Sequence, residues 1–101
     1  MSILHTVNKS PFEKSSMDSC LAHANDGSAV LMYEDGIYGA IKGTAVADKV
    51  AAMSGVKFYV MGPDLKARGV AEDKVVDGIE IVDYAKFVSL AVENDKVQAW
   101  V

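Results

Sequence analysis

"VKFYVMG", residues 56–62, decides how the fold is read. Apart from Lys57 it is apolar at every position, and "AVLMYE" at 29–34 is of the same kind. A strand with one wet face alternates apolar and polar residues. An unbroken apolar run suits a strand covered on both faces, as in a parallel sheet between helices. "SILHTV" at 2–7 and "IEIVDY" at 79–84 read as two further strands. The segments between them are long enough for the helical crossovers that parallel neighbours require. The expected fold class is therefore α/β: one domain over residues 1–101, with a mostly parallel sheet of four to five strands flanked by helices. Strand order across the sheet stays open at this point.

The crossovers carry their own signals. Ser10-Pro11-Phe12-Glu13 combines a serine N-cap, a proline at the first helical position and a glutamate placed to close a capping box. A first helix is predicted from Pro11 to about Ala24, ended by "NDG" at 25–27, with Met17, Cys20, Leu21 and Ala24 on one face. Between Gly36 and Ser54 two short helices or one kinked helix read equally well, with a possible new start at Thr44 and Val46, Val50 and Met53 on one stripe. "GPDLKARG" predicts a single short helix over 63–68. A final helix runs from Tyr84 to about Glu93, with Tyr84, Phe87, Val88, Ala91 and Val92 as its apolar face. The tail "KVQAWV" is either a fifth strand or an arm that docks on a neighbour. Neither an internal repeat nor a linker interrupts the chain.

Half of the 101 residues are hydrophobic, 24% are charged and two are proline, a balance that favours a packed core over disorder. No apolar run approaches the length of a membrane span, and the first residues lack the pattern of a secretory signal, so a cytoplasmic, membrane-free protein is expected. The net charge is −4 with scattered Lys and Arg, which gives no basic stripe for phosphate backbones and argues against direct nucleic-acid binding. One cysteine excludes an internal disulfide. With two separated histidines and no CxxC there is no closed zinc site, and neither a metal nor another cofactor is expected.

Ligands of open α/β sheets bind beyond the carboxyl ends of the strands. Lys9 and the amides opening the first helix could hold a small anion there, although capping alone explains Ser10 and Glu13. Glu34 and Asp35 are adjacent carboxylates, but neighbours at a strand end point apart, and Asp35-Gly36 reads as a turn and helix start. His5 lies inside the first strand, where a histidine is a core or interface residue more often than a base. Asp64 and Arg68 are spaced for a local ion pair. Cys20 stands well past the start of its helix, with Asp18 nearby, so local electrostatics do not activate it and burial is the simpler reading.

Four strings in order along the chain, "LHTVNKSPF", "EDGIYGAIKG", "GPDLKARGV" and "VDYAKFVSL" followed by "VQAW", resemble the DsrH/TusB family. The resemblance implies a DsrE-like fold and the small third subunit of a DsrEFH or TusBCD sulfur-relay complex, with DsrE/TusD-like and DsrF/TusC-like subunits in a cytoplasmic dimer of heterotrimers. Sulfur moves in such complexes as a cysteine persulfide, toward a DsrC/TusE-like acceptor. The Tus branch ends in 2-thiolation of the tRNA wobble uridine and the Dsr branch in sulfur oxidation. Cys20 matches the first-helix cysteine of Dsr-branch members, which makes DsrH the nearer likeness and Cys20 a candidate persulfide carrier. The principal carrier cysteine nevertheless belongs to the DsrE/TusD subunit, so a noncatalytic interaction subunit with a structural Cys20 is the alternative. Trp100 and His5 are the interface candidates, Trp100 because tryptophan anchors interfaces, with packing on its own sheet edge as the other reading.

Overall fold

The computed structural model describes residues 2–101. Five strands form one sheet: β1 (Ile3–Val7), β2 (Ala29–Met32), β3 (Lys57–Met61), β4 (Glu80–Val82) and β5 (Lys96–Trp100). Their order is β4-β3-β2-β1-β5, and all four pairings are parallel. The tail is thus a strand, with Trp100 opposite Val7. Four helices accompany the sheet: α1 (Ser16–His23), α2 (Ala45–Ala52), α3 (Gly62–Ala67) and α4 (Tyr84–Glu93). Two 3-10 turns, Glu34–Ala40 and Glu72–Lys74, complete the described elements.

Alternation along the strands sorts the sheet into two apolar faces. Val7, Val30, Met32, Phe58 and Val60 meet Met17, Cys20 and Leu21 of α1, Ile37 and Ala40, Val46 and Val50 of α2, and Leu65 of α3. On the other face Leu4, Leu31, Tyr59, Met61 and Val82 are covered by Leu90, Phe87 and Ala91 of α4. Every residue of β2 is buried, as a central strand between two helical layers requires.

The first helix departs from expectation: it begins at Ser16, five residues after Pro11. Ser10 Oγ accepts the N–H of Phe12 at 3.2 Å, and the Ser10 carbonyl takes the N–H groups of Glu13 and Lys14, both at 3.1 Å. These bonds close one isolated turn. The hydroxyl and proline that open a helix serve such a turn equally well. The last helix has the expected limits but a different inner face. Leu90 is buried with Phe87 and Ala91 beside it, while Tyr84, Val88 and Val92 are 60%, 64% and 80% exposed. α4 carries apolar residues around most of its circumference, so periodicity alone leaves its rotation undetermined.

The middle crossover resolves into two short helical pieces. Thr44 caps α2, its side chain accepting the Ala47 N–H at 3.1 Å. Replacing Thr44 with alanine is expected to cost about 1 kcal/mol, read as a lower urea midpoint at unchanged m-value.

Candidate functional site

Cys20, His5, His23 and Trp100 gather around β1 and α1. α1 turns Met17, Cys20 and Leu21 onto the sheet, so Cys20 is 0% exposed and sits among apolar side chains. Burial disfavours the thiolate and pushes the Cys20 pKa from 9.0 up to about 12. In the closed chain Cys20 is a protonated, apolar-packed thiol.

Beside it lies a three-ring cluster that links the two ends of the chain. Trp100 Nε1–H donates to His5 Nδ1 at 3.0 Å. Nδ1 is therefore the acceptor, and the neutral ring carries its proton on Nε2. That Nε2 is buried and without a hydrogen-bond partner in the protein. The Trp100 ring also stands 5.4 Å from His23 of α1, whose Nδ1 pairs with the Ser19 carbonyl at 2.7 Å. Burial, and secondarily the charge of His23, hold the His5 pKa below 6.5. Both interface candidates are thus engaged with each other: His5 is 3% exposed and Trp100 is half-buried against its own sheet edge. Trp100→Phe keeps the ring but leaves both nitrogens of His5 unpaired, and is expected to lower stability by about 1–3 kcal/mol, measured by chemical denaturation at pH 7.5.

The carboxyl ends of β2 and β3 hold a polar cluster. Arg68 Nε lies 3.0 Å from Asp35 Oδ1, and Arg68 Nη1 lies 3.9 Å from Asp64 Oδ1, so the local Asp64–Arg68 pair forms with Asp35 as the nearer partner. Asp64 Oδ2 accepts the Glu34 N–H at 2.9 Å and holds Glu34 at φ +51°. The Asp35 carboxylate pairs with Arg68 while Glu34 is held by its backbone N–H, and the Asp35, Asp64 and Arg68 charges fasten the two loops. Lys9 is exposed, but no helix opens beside it, because the Glu13 and Lys14 amides are already bonded to Ser10. No anion cradle is assembled there, in keeping with Ser10 acting through its own turn. Five surface depressions of about 200 to 400 Å³ lie elsewhere, and Cys20, His5 and Trp100 line none of them. Among the described residues no group of three or more His, Cys, Asp or Glu could hold a metal ion. In the same range no helix is long and apolar enough to cross a membrane.

No pattern in the sequence marks His23 or its ring contact with Trp100. The only local hint was its place three residues after Cys20; the contact itself depends on β5 returning to pair with β1.

The sequence profile described as "DsrH like protein" matches residues 9–97, nearly the whole chain. The chain belongs to the DsrH/TusB family. Protein TusB of Pectobacterium parmentieri is 34% identical over 98 residues, covering 97% of this chain and all of that protein. Protein TusB of Photorhabdus laumondii is 30% identical with the same coverage. Among solved structures, the ychN protein of E. coli superposes with a TM-score of 0.83 at 15% identity, covering 99% of each chain. A protein of unknown function from Methanobacterium thermoautotrophicum gives 0.78 at 16% identity, covering 97% of each. At such identities these likenesses establish the fold alone. For this DsrH/TusB member they agree with the mostly parallel α/β sheet of four to five strands expected from the apolar runs at 29–34 and 56–62.

Proposed function

We propose that this chain is the DsrH/TusB-type subunit of a cytoplasmic sulfur-relay complex, a dimer of heterotrimers that it forms with DsrE/TusD-like and DsrF/TusC-like subunits. The family match over residues 9–97 carries this reading. The chain's own chemistry fits a subunit rather than an independent enzyme. Its one thiol is buried and protonated at neutral pH, the Asp35 and Asp64 carboxylates at the strand ends are committed to Arg68 and to backbone, and its inner histidine is bonded to Trp100. Organising the assembly is its first role.

Cys20 is the candidate second role. As a persulfide carrier it would attack sulfane sulfur as the thiolate and later yield that sulfur to an acceptor thiolate, displaced by it in turn. Since burial suppresses the thiolate, transfer through Cys20 requires local opening of the chain. The Dsr branch is favoured by the presence of Cys20 itself. The tRNA-thiolation branch is favoured by the name TusB on the curated relatives.

Coexpression with DsrE/TusD-like and DsrF/TusC-like partners tests the assembly: one stable hexameric peak containing all three is expected. A chain that stays monomeric beside both partners would overturn it. Intact-mass analysis of that complex after exposure to a persulfide donor tests Cys20. A reducible gain of one sulfur on this subunit, absent in Cys20→Ala, makes it a carrier. A gain on the DsrE/TusD-like subunit alone leaves it a packing residue. Sulfur passed onward to a sulfur-oxidation acceptor or into tRNA separates the two branches.

A further inference from the structure

We propose that β5 is an acid-released clasp, closed by the Trp100–His5 hydrogen bond, and that its release uncovers the α1 edge where Cys20 lies. The part concerning Cys20 rests on its reading as a sulfur acceptor; the clasp does not.

β5 is built to come away. It is an edge strand that pairs only with β1, and Lys96, Val97, Gln98 and Ala99 are all exposed. Trp100 is its one inward anchor, packed against the core cluster that contains Cys20 and set over His23, which follows Cys20 by three residues on α1. Beyond the ladder, the strand's side chains contribute one bond to the rest of the chain, Trp100 Nε1–H to His5 Nδ1. The neighbouring Ser16 hydroxyl bond to the Val101 carbonyl, at 3.1 Å, is exposed.

The bond has a built-in condition. Nδ1 accepts only while it is unprotonated, so a second proton on His5 removes the acceptor and charges a ring that is 3% exposed. Nothing around His5 offsets that charge. β2 presents Val30 opposite it and has no titratable residue. β5 presents Gln98 and Trp100, with cationic Lys96 at the far end of the strand. α1 presents His23, also basic, and the neutral Cys20 thiol, while Asp18 of that helix is turned to Lys49 of α2 at 2.9 Å. His5 Nε2, buried and unpaired, shows that the site already leaves one ring nitrogen without a partner.

The sign follows from linkage. With β5 released, His5 returns to its ordinary value near 6.5; with β5 closed it binds its proton less readily. Acid therefore favours the released form, by up to about tenfold for each pH unit below 6.5.

The test is amide exchange on the full chain at pH 7.5 and 5.5, expressed as protection factors relative to intrinsic rates. Protection of the β5 amides bonded to β1 should fall at pH 5.5, by up to about tenfold, with β2 and β3 unchanged. His5→Asn retains an acceptor near the Nδ1 position but cannot be protonated, and should keep β5 protected at both pH values. Trp100→Phe should leave β5 weakly protected at both. In parallel, attack of the Cys20 thiol on 4,4′-dithiodipyridine, a disulfide that still reacts in acid, taken relative to the same chain in urea at the same pH, should rise with β5 release in wild type and stay flat in His5→Asn. A wild-type β5 indifferent to pH, a fall shared equally by β2 and β3, the same fall in His5→Asn, or β5 release without a faster Cys20 would each overturn the proposal. Failure of Cys20 to accept sulfur from a persulfide donor would overturn only the carrier reading, since β5 protection is measured without sulfur chemistry.

Discussion

At pH 7.5 the native chain is expected to be alkylated at Cys20 about a thousandfold more slowly than the same chain in urea. The thiolate is the reacting species, and burial moves its formation from 9.0 to about 12, three units and so about three factors of ten in thiolate fraction. Steric enclosure adds to this, because Cys20 is 0% exposed. Iodoacetamide labelling followed by intact mass measures both rates. Comparable rates in the two states would mean that α1 does not hold Cys20 against the sheet. The same burial gives an alkaline signature. The folded chain keeps the Cys20 proton up to about pH 12 while the unfolded chain releases it near 9.0, so the contribution is intact below 9.0 and is lost as pH rises between those values. Stability should fall by about 1.4 kcal/mol per pH unit in that window from this group. Cys20→Ala should lack that component, which isolates it from the titration of lysines and tyrosines.

Gly36→Ala is expected to cost about 3–5 kcal/mol, enough to leave little folded protein if the total lies in the usual range of about 5–15 kcal/mol. A Cβ at residue 36 would lie 2.1 Å from the Val7 carbonyl oxygen, 2.8 Å from Val7 C and 3.3 Å from Asn8 Cα. All three are backbone atoms, and that carbonyl also accepts the Tyr33 N–H at 3.1 Å, so relief would require the end of β1 to move. Gly39→Ala, three residues on, is the control. Its nearest neighbours are Met32 Sδ at 3.3 Å and Met17 Cε at 3.5 Å, flexible side chains that can give way. Urea denaturation followed by circular dichroism should separate the two variants by at least about 2 kcal/mol. Equal midpoints would show that the Glu34–Ala40 segment does not press on β1 as described.

The contrast between these glycines shows what was legible in the chain itself. Both sit in "EDGIYGAIKG", and nothing local marks one as pressed against a carbonyl of another strand. The same limit applied to α4, where apolar residues around the helix concealed that Leu90 faces the sheet. It applied to Ser10-Pro11, where a helix-start signal served an isolated turn. It did not apply to the central strands. Unbroken apolar runs need cover on both faces, and only helices on either side of a parallel sheet supply that cover economically at this length.

The sequence by itself determined the class of the fold, the family and the apolar face that carries Cys20, and it offered a start at Thr44 as one of two readings of the middle crossover. These follow from period, capping chemistry and motif order, which are written within a few residues of one another. Tertiary structure alone decided the strand order, and with it the pairing of β5 beside β1 across more than ninety residues. That pairing brought Trp100 to His5 and His23, while the pairing of β2 with β3 set the loop of Asp35 beside Arg68. Hydrogen bonds and burial between distant segments depend on which strands become neighbours, and local periodicity carries no information about that choice.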